Sequence, residues 1–457
     1  MPGTDLRLRT ASGLARATRI ASRRAGKGGT TVAGRLLLRL APDALRQLSR
    51  KLDQGSVLVS ATNGKTTTSA MLAAILGQAR VPLVHNRAGS NMHWGVATAL
   101  LDAGRGDREL GLFEVDEAWL PAVADAVNPR LVLLSNLFRD QLDRYGELEL
   151  LAERWAQTVA AHARHTRFAL NADDPLVADL GRGIDNDVYF GLEDDAQALP
   201  ELQHAADSKH CRNCGHAYVY DAVYLGHLGR YHCPSCGRRR PEPQVVARNV
   251  ALHGMGGSAI ALETPAGNTQ IELKLPGLYN VYNALAAATA ALELGATLED
   301  VRAGLEGFGG AFGRVERIPV DGREVLILLV KNPAGANEVL RTLTLEDGRL
   351  DLWLALNDRI ADGRDVSWIW DADFELLAGR VATVTCSGTR AEEMALRLKY
   401  AGIDAKPEVD RELARALDAA VARGERSRPL YALPTYTALL ELRDELAERG
   451  VAGRWSA

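Results

Sequence analysis

No run of twenty apolar residues occurs in this 457-residue chain, which leaves no room for an ordinary membrane-spanning helix. Cysteine is scarce. Five residues, four of them clustered, do not make an oxidised secreted scaffold. Neither sign of charge dominates: 54 Lys and Arg against 58 Asp and Glu leave a net charge of −4, which argues against a general nucleic-acid binder. No internal repeat and no long low-complexity tract interrupts a composition of 47% hydrophobic and 25% charged residues, that of a soluble globular protein. A cytoplasmic location is the default expectation, and the length allows two or three domains.

What is present is unevenly placed. Residues 1–50 hold eleven Arg and Lys against Asp5 and Asp43, so the acidic excess lies in the remainder. The segment "LRLRTASGLARATRIASRRAG" is too interrupted by arginine for a secretory signal. It reads as an amphipathic helix whose basic face is either solvated or set against anionic lipid or a charged ligand. Beyond it, apolar strand-like runs at 56–62, 110–118, 129–137 and 167–175 alternate with helical segments such as 66–79 and 147–164. That alternation predicts parallel β-α-β units, and hence an α/β domain with a central sheet. A cysteine-bearing segment at about 205–243 breaks the pattern, which resumes with the alanine-rich helix "YNALAAATAALELG" (282–295). The glycine-dense "GFGGAFGR" (307–314) reads as a hinge. After it, "EVLILLVKNP", "LDLWLALND", "VATVTCSG" and "PLYALPTY" are strand candidates of a second, smaller α/β domain.

The stretch "LVSATNGKTTTSAML" (58–72) has the form of a phosphate-binding loop between a strand and a helix, although Val59, Ser60 and Ala61 stand where an opening glycine would be sought. Gly64 suits the tight turn, and the helix N-terminus behind it presents free N–H groups to phosphate. Asn63, Gly64, Lys65, Thr66 and Thr67 are the candidate phosphate-binding residues. Lys65 would reach the β- and γ-phosphates, and the Thr66 hydroxyl would ligate Mg²⁺. "FEVDEA" puts Glu114, Asp116 and Glu117 at a strand end that faces the ligand crevice, so Glu114 is a second candidate Mg²⁺ ligand; the bland reading is an acidic turn. "NLFRDQLDRYGE" repeats the geometry more weakly with Asn136, Arg139, Asp140 and Asp143. Cys211 and Cys214 form one CxxC, and Cys233 and Cys236 another, each followed by a glycine. Paired knuckles of this kind hold Zn²⁺ in a closed, structural thiolate shell. His210, His216 and His232 read as surface neighbours, and Cys386 as a buried apolar thiol.

Several motifs occur in one order: "TNGKTTT", "EVDE", "NLFRDQLDRYGE", "LNADDP", "GLYNVYNALAAATAAL", the Gly-Arg pair at 313–314 and "KNPAGANEVL". Together they resemble the Mur ligase superfamily of ATP-dependent amide-forming enzymes. The resemblance implies a Mur ligase-like central P-loop domain with an inserted four-cysteine zinc ribbon, plus the smaller C-terminal α/β domain. The expected division is a basic N-terminal arm over 1–50, an ATP-binding middle domain over 51–312 and a C-terminal domain over 313–457. It further implies that Asn280 and Asn283 lie near the adenine and Arg314 near the phosphates at the hinge. Departures from the common members are equally informative. Gln141 stands where a histidine is usual, and no lysine occurs between Lys65 and Lys209, although the common ligases carry a carbamylated lysine there. The four-cysteine insertion and "LNDRIADGRDVSWIWDADFE" (356–375) are likewise foreign to them.

These departures resemble one subfamily, MurT, whose members work with a GatD-type glutaminase subunit. The resemblance implies ATP-dependent amidation of the α-carboxylate of D-glutamate in lipid II through an acyl phosphate, with ammonia from that partner. ATP, Mg²⁺ and structural Zn²⁺ are the implied cofactors. In that subfamily an aspartate of "DGRDVSW" completes the partner's Cys-His pair. The motif match assigns this role to Asp365, with Asp358 and Asp362 as nearby competitors. A membrane-embedded substrate suggests that the basic arm brings the protein to the inner membrane face. Two rivals remain: a self-sufficient amino-acid ligase, which the missing lysine opposes, and a zinc-ribbon ATPase that binds nucleic acid through "GRRR" (237–240), which the acidic remainder opposes.

Overall fold

The structure, a computed structural model, describes residues 2–24, 29–86, 90–140, 148–203, 206–309 and 315–453. The first sheet is built from β1 (Ser56–Ser60), β2 (Leu83–His85), β3 (Leu110–Glu114), β4 (Leu131–Leu134), β5 (Arg167–Asn171) and β6 (Asp187–Leu192), and is then interrupted. The interruption is a two-stranded ribbon, β7 (Val219–Leu225) and β8 (Leu228–His232). Three further strands, β9 (Val245–Leu252), β10 (Ser258–Thr264) and β11 (Gly267–Leu273), return to the sheet. Nine strands thus run in the order β11-β10-β9-β6-β5-β4-β1-β3-β2. All neighbours are parallel except the meander β9-β10-β11.

Strands β1, β3 and β4 are buried along their whole length because helices cover both faces, which is why their sequences are continuous apolar runs rather than alternating ones. On one face, Leu58 and Phe113 pack beneath the N-terminal helices and the helix Leu148–His162, which contributes Trp155. On the other, Val57 and Val59 meet the helices Lys65–Gln78 and Leu278–Glu293, the latter buried through its alanines.

The basic N-terminal segment is no free arm. It forms helices Pro2–Arg24, Thr30–Leu40 and Ala44–Ser49, and Leu8, Ala11 and Ala15 are buried against the first sheet's domain. Gly34 lies so close to the helix His93–Leu100 that a Cβ there would stand 1.8 Å from the Trp94 carbonyl oxygen. Arg19 is spent on a two-pronged pair with Asp102, at 2.9 and 3.0 Å.

The second sheet consists of β12 (Glu316–Val320), β13 (Arg323–Ile327), β14 (Leu350–Ala355), β15 (Val381–Ser387), β16 (Glu408–Val409) and β17 (Leu430–Pro434), in the order β12-β13-β17-β14-β15-β16. It is parallel apart from the β12-β13 hairpin. The four strand candidates read from the sequence are β13, β14, β15 and β17. The short edge strands β12 and β16 carry too little apolar sequence to announce themselves.

Candidate active site at the crevice between the sheets

The phosphate-loop candidate lies where strand order reverses, since β1 has β3 on one side and β4 on the other. Ligands of open parallel sheets bind in the crevice at such a point. The loop after Ser60 turns at Gly64, whose φ of 84° is left-handed, and the helix Lys65–Gln78 starts directly behind it. Gly64 is needed for a second reason. A Cβ there would fall 2.0 Å from Asn283 Oδ1.

Lys65 is buried, and its Nζ donates to Glu117 Oε2 at 2.7 Å and to the Ala61 carbonyl oxygen. Burial opposes its charge, but Glu117, Asp116 and Glu114 outweigh that and hold the ammonium above its ordinary value. Glu117 is likewise pushed up by burial and drawn further down by Lys65 and Lys331. Thr66 Oγ1 donates to Glu114 Oε1 at 3.1 Å, and Asn91 Nδ2 approaches the same oxygen at 3.4 Å. Two oxygens bound side by side on octahedral Mg²⁺ at about 2.1 Å stand roughly 3.0 Å apart, so this pair fits the ion. Thr67 is buried behind the loop, and Thr68 Oγ1 donates to Asn283 Oδ1 at 3.1 Å.

Asn63 is held from two sides. Its backbone N–H donates to Asn136 Oδ1 at 2.8 Å while Asn136 Nδ2 donates to its carbonyl at 3.0 Å. Its side chain exchanges amide hydrogen bonds with Asn332 at 2.9 and 3.3 Å, across the gap to the second sheet. Lys331 crosses the same gap to pair with Asp140. The cleft so formed is lined by Asn63, Gly64 and Asn283 from one side and by Lys331, Gly335 and Glu338 from the other. Asn280 does not line it. Its amide bonds the Pro276 carbonyl at 2.8 Å, and its Oδ1 accepts from Asn283 at 3.0 Å, so it stands behind Asn283 as a brace. Arg314, Gln141 and Asp143 lie outside the described residues.

Sequence reasoning missed Asn332, Lys331 and Glu338 as parts of this cleft. A signal existed for the first: Asn332 caps the helix Pro333–Leu343 by accepting from Gly335 N at 2.9 Å, with proline at the first helical position. That pattern locates a helix start, not what faces it.

The four clustered cysteines converge. Each Sγ lies within 4.8 Å of the others, with Cys211 and Cys236 at 3.6 Å and Cys214 and Cys233 at 3.4 Å. Four thiolates at about 2.3 Å from one Zn²⁺ stand roughly 3.8 Å apart, so the donor set fits that ion. The glycines after each pair, Gly215 and Gly237, both take left-handed φ, as the knuckle turns require. Cys386 is buried in β15, and burial alone pushes its thiol up to about 12, far from a nucleophile.

Asp365 sits apart, on the exposed loop after β14. Its Oδ1 accepts from Ser367 N at 2.8 Å, and hydrogen bonding from the Ser367 side chain, then its backbone, holds the carboxyl below its ordinary value. The competitors are occupied. Asp358 pairs with Arg390 at 3.2 Å, and Asp362 is buried and accepts from Thr437 N at 2.7 Å.

Two family models match the chain, the Mur ligase middle domain over residues 59–232 and the MurT ligase C-terminal over residues 329–439. The MurT subunit of lipid II isoglutaminyl synthase (glutamine-hydrolyzing) from Staphylococcus aureus strain N315 is 34% identical over 438 residues, 96% of this chain and 97% of that one. Its counterpart from Streptococcus pneumoniae R6 is 31% identical over 453 residues, covering 98% and 99%. Among solved structures, a pseudomurein peptide ligase type C from Methanothermus fervidus matches with TM-score 0.68 at 23% identity, over 88% of this chain and 80% of that one. MurF ligase from Thermotoga maritima in complex with ADP matches with TM-score 0.60 at 15% identity, over 91% and 85%. These structures establish the fold. Because the MurT relatives exceed 30% identity along nearly their whole length, the chain belongs to the MurT family of Mur-type ligases.

Proposed function

We propose that this chain uses ATP and Mg²⁺ to amidate the α-carboxylate of D-glutamate in lipid II, giving D-isoglutamine, with ammonia made by a GatD-type glutaminase subunit. The γ-phosphoryl group passes from ATP to a carboxylate oxygen and ADP departs. Ammonia then attacks the acyl carbon, phosphate leaves, and the nitrogen sheds a proton. Asn63, Gly64, Lys65, Thr66 and Thr67 cradle the phosphates with Arg314 alongside, and Asn283, braced by Asn280, lies toward the adenine. Thr66 and Glu114 hold Mg²⁺, whose charge offsets that of the transferred group. Cys211, Cys214, Cys233 and Cys236 hold a structural Zn²⁺.

One observation carries the reading: Asp365 is an exposed carboxylate with no ion pair among the described residues, while the one cysteine beyond the four-cysteine cluster is buried and inert. A glutaminase needs a nucleophilic thiolate with an oriented histidine. This chain therefore offers the orienting acid and must receive the thiolate and imidazole from a partner. Ile360, five residues away, and Trp370, on the same loop, expose large apolar surfaces suited to docking it. The C-terminal domain, from about 313, is the docking unit in this reading.

The test is glutamine-dependent amidation of lipid II by the two co-purified subunits, with and without ATP. Asp365→Asn should abolish glutamine hydrolysis and leave ATP binding intact. Turnover by the single chain with a free amino acid would sink the reading. The position at the inner membrane face belongs to the same proposal and rests on Leu6, Leu14 and Ile20, which the N-terminal helix exposes among arginines. Replacing all three with serine should weaken binding to anionic vesicles; unchanged binding removes that part.

A further inference from the structure

The helix Pro333–Leu343 runs along the cleft, and its residues meet the two ends differently. Asn332, its cap, bonds Asn63 of the phosphate loop. Glu338 lies six residues on, about 9 Å along the axis at 1.5 Å per residue. It also lines the cleft, yet it is only 2% exposed and its Oε1 has no hydrogen-bond partner among the described residues. Arg341, one turn further on, stands 3.9 Å from that oxygen and is committed elsewhere. It donates to the Tyr224 carbonyl at 2.8 Å and to the Gln197 carbonyl at 3.0 Å. The surroundings at this end are apolar: Leu225 and Leu228 from the ribbon tip, Phe138, Tyr282 and Val339.

A buried acceptor without a donor is costly, and native structures retain one where something else supplies the bond. An apolar slot with one convergent polar group, at the far end of a cleft from a phosphate loop, has the form of a nucleobase site. A carboxyl there repels phosphate and calls for a donor. We propose that Glu338 is the base-reading residue of the cleft, its side-chain oxygen accepting from the 6-amino group of an adenine. The assignment rests on the ATP reading above and adds the group that selects the base. Burial pushes Glu338 up to about 7 against the pull of Arg341, so a protonated form is available near neutrality. That form presents an acceptor and a donor side by side, matching the 6-amino group and N1 of adenine. The ionised form alone would suit the two donors of guanine instead, which makes GTP the competing occupant.

The experiment is calorimetric titration of the full chain, with Mg²⁺, against ATP, purine riboside 5′-triphosphate (which lacks the 6-amino group) and GTP. Wild type should prefer ATP to the deaminated analogue by about tenfold or more, the worth of one hydrogen bond left unmade at a buried acceptor. Glu338→Ala should bring the two within about twofold of each other, and Glu338→Gln, which keeps the carbonyl acceptor and the size, should keep most of the preference. The analogue series on the unmodified chain tests the assignment even if the alanine variant folds poorly. Equal binding of ATP and the analogue, a preference for GTP, or an undiminished preference in Glu338→Ala overturns the role of Glu338 alone. If the wild type binds none of the three nucleotides, the ATP reading itself falls.

Discussion

At Ala61 the backbone needs no glycine. The residue is not among those with positive φ, its side chain is accommodated at 1% exposure, and its contribution to the loop is the carbonyl oxygen that Lys65 grips. Gly64 is the position where the turn and the approach of Asn283 both forbid a side chain. Ala61→Gly should therefore change ATP affinity by less than about twofold and lower stability by about 0.4–1 kcal/mol through the looser unfolded chain. Isothermal titration and chemical denaturation check both parts. A tighter ATP complex in the variant would mean that alanine impairs the loop. Glu338 makes a second prediction at this scale. Its folded-state value is raised by burial to about 7 from the ordinary 4.5, so the folded chain holds this proton more tightly than the unfolded one. The associated stability is fully present below about pH 4.5 and is lost as pH rises through about 7. At about 1.4 kcal/mol per unit the loss is on the order of 3 kcal/mol. The ligand-free Glu338→Gln variant should accordingly melt above wild type at pH 8, with the gap closing near pH 4.5.

At the scale of elements, the ribbon joins the four-cysteine cluster to the cleft. Cys233 directly follows β8, and the other end of the same hairpin carries Leu225 and Leu228 into the cleft wall. Tyr220 OH donates to the Ser208 and His227 carbonyls at 2.9 and 3.0 Å, bracing the hairpin between the knuckles and the tip. Gly226 at the tip admits Phe138, whose ring a Cβ there would meet at 2.7 Å. Stripping the metal with a chelator should lower Tm by about 5 °C or more and weaken nucleotide binding as the wall loosens. Elemental analysis should find one zinc per chain before chelation. An unchanged Tm after verified metal removal would separate the cluster from the fold.

The whole molecule depends on how its two sheets meet. The Asn63–Asn332 amide pair, the Lys331–Asp140 ion pair and the two bonds from Arg341 to the Tyr224 and Gln197 carbonyls span the gap between them. Asn332 serves twice, as helix cap and as bridge. Asn332→Ala should cost about 1 kcal/mol for the cap and raise the KM for ATP several-fold, while kcat at saturating ATP falls less. Steady-state kinetics of the chain with the proposed glutaminase subunit check this. A fall in kcat with KM unchanged would assign Asn332 to the chemical step instead.

Local patterns were enough for the α/β architecture, for the turn at Gly64 and for the four sulfurs. Apolar runs, a glycine before a helix and CxxC knuckles are dictated by neighbours a few residues away, and the structure brings Asn63, Lys65, Thr66 and Glu114 together around that turn. The N-terminal helix shows where such reading stops. Its arginines look like one basic face, but Arg19 turns inward because Asp102, 83 residues away, receives it. Asn280 and Asn283 likewise look equivalent in sequence, three residues apart on one helix, and only the packing of that helix against the phosphate loop sends one to the cleft and the other behind it. Glu338 was silent for the same reason. A lone glutamate in an amphipathic helix is unremarkable until a second sheet closes over it, and burial, which decides whether a carboxyl is solvated or left seeking a donor, is a property of the assembled chain.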